Sequence, residues 1–457
     1  MAEFDALFWL LMAWPVGAVA LMLSLRSGNN SSAGLPVAYL ASLALLHVPG
    51  AALYLIPEYH FYDHDAVLNG VQLTTMGMAS FVIGVFLGKP RAVRRRASPV
   101  ATPAAPLLGN VDPTRAAVIF LGLGLVSQLV LLPVLGRVPS VTALLSGMAT
   151  LSVAGVCLGW HQALKTHSTK LYLLWGGLAA LFPVITLTST AFLGYGVHAL
   201  LTVLAFLAVH IRLRRLYVVT LALLPMFYIG MSGYVTYMRD RTELREAIWQ
   251  QDVDYTTRLE KITKMVTTFE FFDVDNKQHL IDVDRRLNQN WLVGAAIDYV
   301  GGGNVPFANG ETVMSAFIAL IPRALWPGKP EFGGSGDMVS DNTGITFAEG
   351  TSVGAGQVLE LYVNFAEWGV VIGFVVLGAL IRQFDARAAR ALNERDYGKF
   401  AIWFVPGLGF LQAGGNMAEV VTSVAAAVGA GYVAAYLVRR SAKKMKARSF
   451  AARNQAS

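Results

Sequence analysis

The sequence predicts an all-α polytopic membrane protein with about eleven transmembrane helices and one large extracytoplasmic loop between helices 8 and 9. Three observations lead there. Hydrophobic residues make up 55% of the 457 and charged residues only 14%, with a mean hydropathy of +0.51. Apolar runs of about 20 residues recur along the chain, the length that crosses a bilayer as a helix. The Lys and Arg residues collect in alternate short connections, as they do in loops that stay in the cytoplasm. The net charge of +7 is therefore a topology signal and no argument for nucleic acid. The single cysteine, Cys157, lies in an apolar run, so no intramolecular disulfide is available.

The expected spans run 4–25, 35–57, 69–88, 116–136, 141–163, 170–188, 192–211, 216–237, 357–381, 399–416 and 419–438. No basic region precedes the first, which reads as a retained helix and not a cleaved signal peptide. Lys89, Arg91, Arg94, Arg95 and Arg96 follow the third span, Arg212, Arg214 and Arg215 the seventh, and Lys443, Lys444, Lys446 and Arg448 lie in the tail. All face the cytoplasm together if the N-terminus is outside and the C-terminus inside. Residues 98–113, rich in Ala and Pro, read as a cytoplasmic connector. Residues 382–399 read as a surface helix at helical spacing. No internal repeat of the transporter kind is visible.

This organisation gives 1–237 as spans one to eight and 238–356 as a periplasmic loop domain with an interfacial segment at 313–330. Spans nine to eleven occupy 357–438, and 439–457 is a basic cytoplasmic tail. Within the loop domain, 239–254 and 256–272 have helical spacing, whereas 331–356 is dense in Gly, Ser, Thr and Asp and reads as a long loop.

Two stretches carry candidate chemistry. In Ile321–Pro330 three prolines hold Arg323, Trp326 and Lys329 on a stiff, irregular backbone beside an apolar run. Two cations and an indole at a membrane surface suit an anionic, amphipathic ligand such as a lipid-linked phosphate. The same residues also suit a plain interfacial anchor. In the ninth span Glu360, Asn364 and Glu367 are spaced i, i+4, i+7, which places them on one helical face. Carboxylates in a membrane helix need a partner or water, so this face suggests a cavity open to the outside, with Asn416 and Glu419 as further lining.

Arg239, Arg241, Arg245, Arg285 and Arg286 lie on the outer side against the positive-inside bias. Arginine matches phosphate oxygens with a permanent charge. For Arg241 and Arg245 the simpler expectation is a solvated face paired with Asp240, Glu243, Glu246 and Asp284. The loop residues Glu58, His60, Asp63, His64 and Asp65 could hold a divalent metal but read more simply as a solvated loop. His47 and His198 read as hydrogen-bonded core residues, and His279 as a possible base. No GxSxG, Walker, Rossmann or HExxH pattern is present, so nucleotide cofactors have no support.

With Pro322-Arg323-Ala-Leu-Trp326-Pro327-Gly-Lys329-Pro330 and Tyr362-Val-Asn364-Phe365-Ala-Glu367-Trp-Gly369 in view, the chain resembles the Wzy-type O-antigen and exopolysaccharide repeat-unit polymerases. These belong with the GT-C-like membrane glycosyltransferases. By motif the resemblance covers residues 310–382 and elsewhere only the topology; Ala366 stands where the family pattern has glycine.

The resemblance implies a metal- and nucleotide-independent glycosyltransferase of the bacterial inner membrane, with no cofactor. It would join polyprenyl-diphosphate-linked oligosaccharide repeat units, donor and acceptor, into a surface polysaccharide. A chain-length regulator is a possible partner, and nucleic acid is not. Arg323 and Lys329, then Arg239, Arg285 and Arg286, are the expected diphosphate ligands. Glu360 or Glu367 is the expected base, Asn364 would orient the sugar, and Trp326 would stack on sugar or lipid. An O-antigen-ligase-like transferase shares the donor side of this site. A lipid-linked oligosaccharide flippase or exporter would instead need cations through the whole membrane thickness.

Overall fold

The computed structural model describes residues 2–26, 31–89, 112–135, 139–190, 192–211, 213–249, 255–321, 326, 328–329, 335–347 and 353–456. Among them every regular element is helical. The first three are α1 (Ala2–Arg26), α2 (Leu35–Leu53) and α3 (His64–Leu87). The fourth expected span is α4 (Pro113–Val126), a π-turn at Ser127–Leu131 and α5 (Leu132–Leu135). The fifth divides into α6 (Pro139–Ala149) and α7 (Leu151–Thr166), and the sixth into α8 (Thr169–Ala180) and α9 (Phe182–Thr190). Then come α10 (Leu193–His210) and α11 (Leu213–Trp249). The segment between α11 and α17, called the outer segment after its expected side, holds α12 (Tyr255–Thr267), α13 (Lys277–Leu287), α14 (Asn290–Ala296), a π-turn at Ile297–Gly301, α15 (Glu311–Ala319) and α16 (Ser335–Thr343). Last are α17 (Gly356–Asn393), α18 (Tyr397–Gly409) and α19 (Met417–Ala456).

Nine stretches are long and apolar enough to cross a membrane among the described residues. Their outward faces carry large apolar side chains such as Trp9, Leu87, Leu173 and Ile372, each at least 60% exposed. That pattern suits a surface solvated by lipid. Two of the expected eleven spans are not among the nine. The side chains at 213–220, in the first part of α11, lie outside the described residues. Helix α18 has 13 residues, which gives about 20 Å against a hydrocarbon core of about 30 Å.

The tenth span was expected to be helical to 416, but the helix stops at Gly409 and 410–416 is irregular. Its carbonyls find donors on the first turn of α17. Gly356 N–H donates to Gly414 O at 3.1 Å, and the Gln357 side-chain amide to Gln412 O at 2.6 Å. Irregular backbone at membrane depth is tolerated where protein supplies such partners. The expected loop at 331–356 also contains a helix, α16; 331–334 and 348–352 lie outside the described residues.

Helix α3 is the hub. A Cβ on Gly84 would come within 2.1 Å of Val375 O, and one on Gly378 within 2.3 Å of Phe81 O, so α3 and α17 cross backbone to backbone. Nearer its N-terminus α3 does the same with α14: a Cβ on Gly294 would lie 1.8 Å from Ala66 O, and one on Gly70 2.0 Å from Asn290 O. The outer segment therefore wedges α14 into the bundle. At the other end of α3, Gly88 O accepts from Gln383 of α17 at 2.9 Å. At this basic end the buried Asp385 carboxylate accepts from the Ala33 and Leu35 amides at 2.8 and 3.1 Å, capping α2, and it pairs with the buried Arg382.

Candidate functional site

At the end of the bundle opposite Gly88 and Arg382, two groups of polar residues meet the outer segment. The first is built on a break in α17. Phe365 (φ −143°, ψ 23°) and Ala366 (φ +52°, ψ −153°) leave helical geometry, so 356–364 and 367–393 are two helices in sequence. The expectation that Glu360, Asn364 and Glu367 share one face is therefore overturned: a strict 3.6-residue period does not survive the break. Glu360 and Asn364, 2% and 1% exposed, lie before it. Glu367 lies after it and is exposed.

The segment 308–312 clasps the broken turn. Val363 O, which a continuous helix would bond to the amide at 367, accepts from Ala308 N–H at 2.9 Å. Asn364 Oδ1 accepts from Gly310 N–H at 2.8 Å, and its Nδ2 donates to Thr312 Oγ1 at 2.7 Å. The Thr312 hydroxyl in turn donates a hydrogen bond to Glu360 Oε1 at 2.9 Å. Glu360 Oε2 accepts from Met417 N–H at 2.5 Å, at the first turn of α19. One carboxylate thus ties α15, α17 and α19 together, with both oxygens engaged. A group so occupied is fitted to positioning more than to taking a proton.

The second group is cationic and lies on α11 and α13. A cleft of about 540 Å³ is lined by Arg239, Arg241 and Arg285, with Glu270, His279 and Asp282 on its walls. Arg239 is fully occupied: it grips Asp240 at 2.8 and 2.9 Å, Thr268 O at 3.0 Å and the Glu270 carboxylate. These carboxylates, Asp240 first, hold its basicity above the ordinary value. Arg285 lies over the Phe61 ring at 5.3 Å.

Pairing of Arg241 and Arg245 with Asp240, Glu243, Glu246 and Asp284 was expected; among the described residues Arg241 makes no such ion pair. Asp240 belongs to Arg239, and Glu243 pairs with Lys261 at 3.5 Å. Asp284 accepts from the Tyr54 and Tyr59 hydroxyls, each at 2.9 Å, and from Asn288 at 2.7 Å. Among the described residues neither Arg241 nor Arg286 has a carboxylate partner. Arg286 is exposed as a residue, yet burial of its charged end, and then the charge of Arg241, lower its basicity. Burial and the same Arg241 act likewise on Arg245, whose guanidinium lies 4.6 Å from the Phe192 ring centre. Arg241 and Arg286, with no carboxylate partner among the described residues, favour an anion.

The remaining candidates are placed as follows. Arg323 lies outside the described residues. Lys329 donates from Nζ to Ala319 O at 3.0 Å and Ile321 O at 3.1 Å, capping the end of α15. Trp326 is 40% exposed, and Met314 and Phe317 on α15 are 61% and 57% exposed. His279 Nδ1 accepts from Asp273 N–H at 3.1 Å. His47 bonds Asn290 at 2.9 Å and His198 bonds Gly194 O at 2.8 Å. Glu3, His64 and Asp65 are the one group of three potential metal ligands among the described residues, their ligand atoms within 4.8 Å of one another. Its two carboxylate residues are exposed. Sequence reasoning missed Thr312, whose only signal was its place near Glu311 and the loop end.

A family model described as "Domain of unknown function (DUF8712)" matches residues 63–442 of the 457. No curated protein and no solved structure matches the chain.

Proposed function

The chain belongs to the DUF8712 family, and we propose that it is a metal-independent membrane glycosyltransferase that joins polyprenyl-diphosphate-linked oligosaccharide repeat units. In this reading it works on the outer face of a bacterial cytoplasmic membrane, with its N-terminus outside. The basic connections then face the cytoplasm, and the clasp and the cationic cleft face outward.

The observation that supports the reading is the cleft lined by Arg239, Arg241 and Arg285, beside which Arg286 follows on α13, with no carboxylate paired to Arg241 or Arg286 among the described residues. A diphosphate fits such a group, and at a membrane surface the available diphosphates are lipid-linked. The acceptor hydroxyl attacks the anomeric carbon of the donor sugar. The new glycosidic C–O bond forms as the bond from that carbon to the phosphate oxygen breaks, and the electron pair leaves with the diphosphate. Arg241, Arg285 and Arg286 stabilise that developing charge. The hydroxyl proton passes to Glu367, the exposed carboxylate at the break, while Glu360 and Asn364 hold the broken turn in place. Arg239 and Lys329 serve the architecture, and Trp326 lies against the lipid chain.

The test uses purified protein in nanodiscs with its polyprenyl-diphosphate repeat unit, and resolves the products by length. A ladder without ATP or added metal is expected. Arg241→Ala with Arg286→Ala should slow it about 100-fold, the effect of losing preorganised charge at a leaving group. Intact substrate recovered from folded wild type would overturn the reading. Transfer of a whole chain to another acceptor would replace it with a ligase, and movement of substrate across the bilayer with no new bond would replace it with a flippase.

A further inference from the structure

A separate cavity of about 410 Å³ opens between the start of α3, α14, the π-turn at Ile297–Gly301 and the end of α16. One wall is aromatic: the Tyr62 and Trp291 rings are stacked 4.0 Å apart and only 5° from parallel. Its polar lining includes Asp63, Asp298, Tyr299 and Asn304. One oxygen of Asp63 caps α3 through Ala66 N–H at 3.1 Å. The Asp298 side chain has no partner among the described residues, and Asp298 sits in the π-turn, a departure from the α-helix often found at functional sites. Burial, and then the charges of Asp63 and Asp65, hold the Asp298 carboxyl above the usual carboxylate range. Among the described residues that line the cavity there is no Lys, Arg or His.

We infer that this cavity binds a sugar ring that bears no acidic group. The argument is chemical. The C–H face of a pyranose packs against the electron-rich face of an aromatic ring. Carboxylates accept hydroxyl hydrogen bonds with several lone pairs, and they accept an ammonium still better. The volume lies in the class of small-molecule sites. A divalent metal is disfavoured, because Asp63 and Asp298 belong to no group of three potential ligands among the described residues. A uronic acid would be repelled by two carboxylates.

Under the repeat-unit reading, on which this part rests, the cavity holds the acceptor end. The Tyr362 hydroxyl connects it to the break in α17. That hydroxyl lies 2.7 Å from where a Cβ on Gly301 would sit, and Tyr362 is three residues ahead of the break at Phe365. The acceptor sugar and the break that bears the proposed base are thus neighbours of one tyrosine, with the diphosphate site on other helices.

Saturation-transfer NMR on the full chain in nanodiscs, with glucose, glucosamine and glucuronate as probes, tests the cavity without any polymerase assay. Wild type should show transfer to glucose and glucosamine and none to glucuronate. Asp298→Asn, which keeps size and leaves the core untouched, should weaken glucosamine about tenfold, the worth of a charged hydrogen bond, and should admit glucuronate. Trp291→Phe should weaken all three probes while the Asp298→Asn pattern persists. Equal transfer to glucose and glucuronate in wild type, an unchanged profile in Asp298→Asn, or no transfer to folded wild type would each overturn the site. Sugar binding without chain growth would leave the cavity standing and sink the polymerase reading; chain growth with no effect of Asp298→Asn would do the reverse.

Discussion

At position 366 an alanine holds φ +52° and ψ −153°, a region that is close to glycine-only. Strain there is about 1–3 kcal/mol, against which a glycine would lose part of a methyl's burial and about 0.4–1 kcal/mol of chain entropy. The balance favours Ala366→Gly by about 1 kcal/mol. Thermal unfolding in detergent should show a higher midpoint, and a lower one would mean that the break is not strained. The glycine expected at 366 by resemblance thus has a physical reason. Residue identity said much less about the arginines. Arg239 and Arg241 are two apart in one helix, yet the first is bound by two carboxylates and the second, among the described residues, by none. No reading of charge along the chain separates them, because Glu270, which helps occupy Arg239, is 31 residues away.

The elements show the same division. The apolar runs that made the helices were visible as runs, since lipid and core both select them over about 20 residues. The clasp over the α17 break was not visible, because it joins 308–312 to 360–364 and 417 through hydrogen bonds with no sequence period. Thr312 is its hinge, donating to Glu360 and accepting from Asn364. Thr312→Val keeps the shape and removes both bonds, leaving a buried carboxylate oxygen and an amide short of a partner each. A destabilisation of about 2–4 kcal/mol is expected, from the cost of an unsatisfied buried polar group. A drop in the unfolding midpoint should accompany it, together with faster proteolysis of the outer segment. An unchanged midpoint would show that α15 is not held through this contact. Helix α18 teaches the complementary lesson: its run of apolar residues is span-like, but Gly409 ends the helix and the first turn of α17 satisfies the exposed backbone.

For the whole molecule, the arrangement predicts which ends share a compartment. Cys157 is fully buried, so Cys157→Ala gives a quiet background for single cysteines. In intact bacterial cells Asp275→Cys, on the outer segment, should react with a membrane-impermeant maleimide, and the exposed Lys399→Cys, in the first turn of α18, should react only after lysis. The opposite pattern would invert the topology, and equal labelling of both would break it. The sequence by itself determined the class, an all-helical protein with many helices apolar enough to cross a membrane, since hydropathy is a property of local composition. It also pointed to Glu360, Asn364 and the outer arginines as polar residues in costly surroundings. Only the tertiary structure decided which of these are occupied and which are left open. A carboxylate's role depends on the donors that reach it, and those donors come from 48 and 57 residues away in the case of Glu360. Pairing of that kind is settled when helices pack through Gly70, Gly84 and their partners, a three-dimensional event that composition along the chain does not encode.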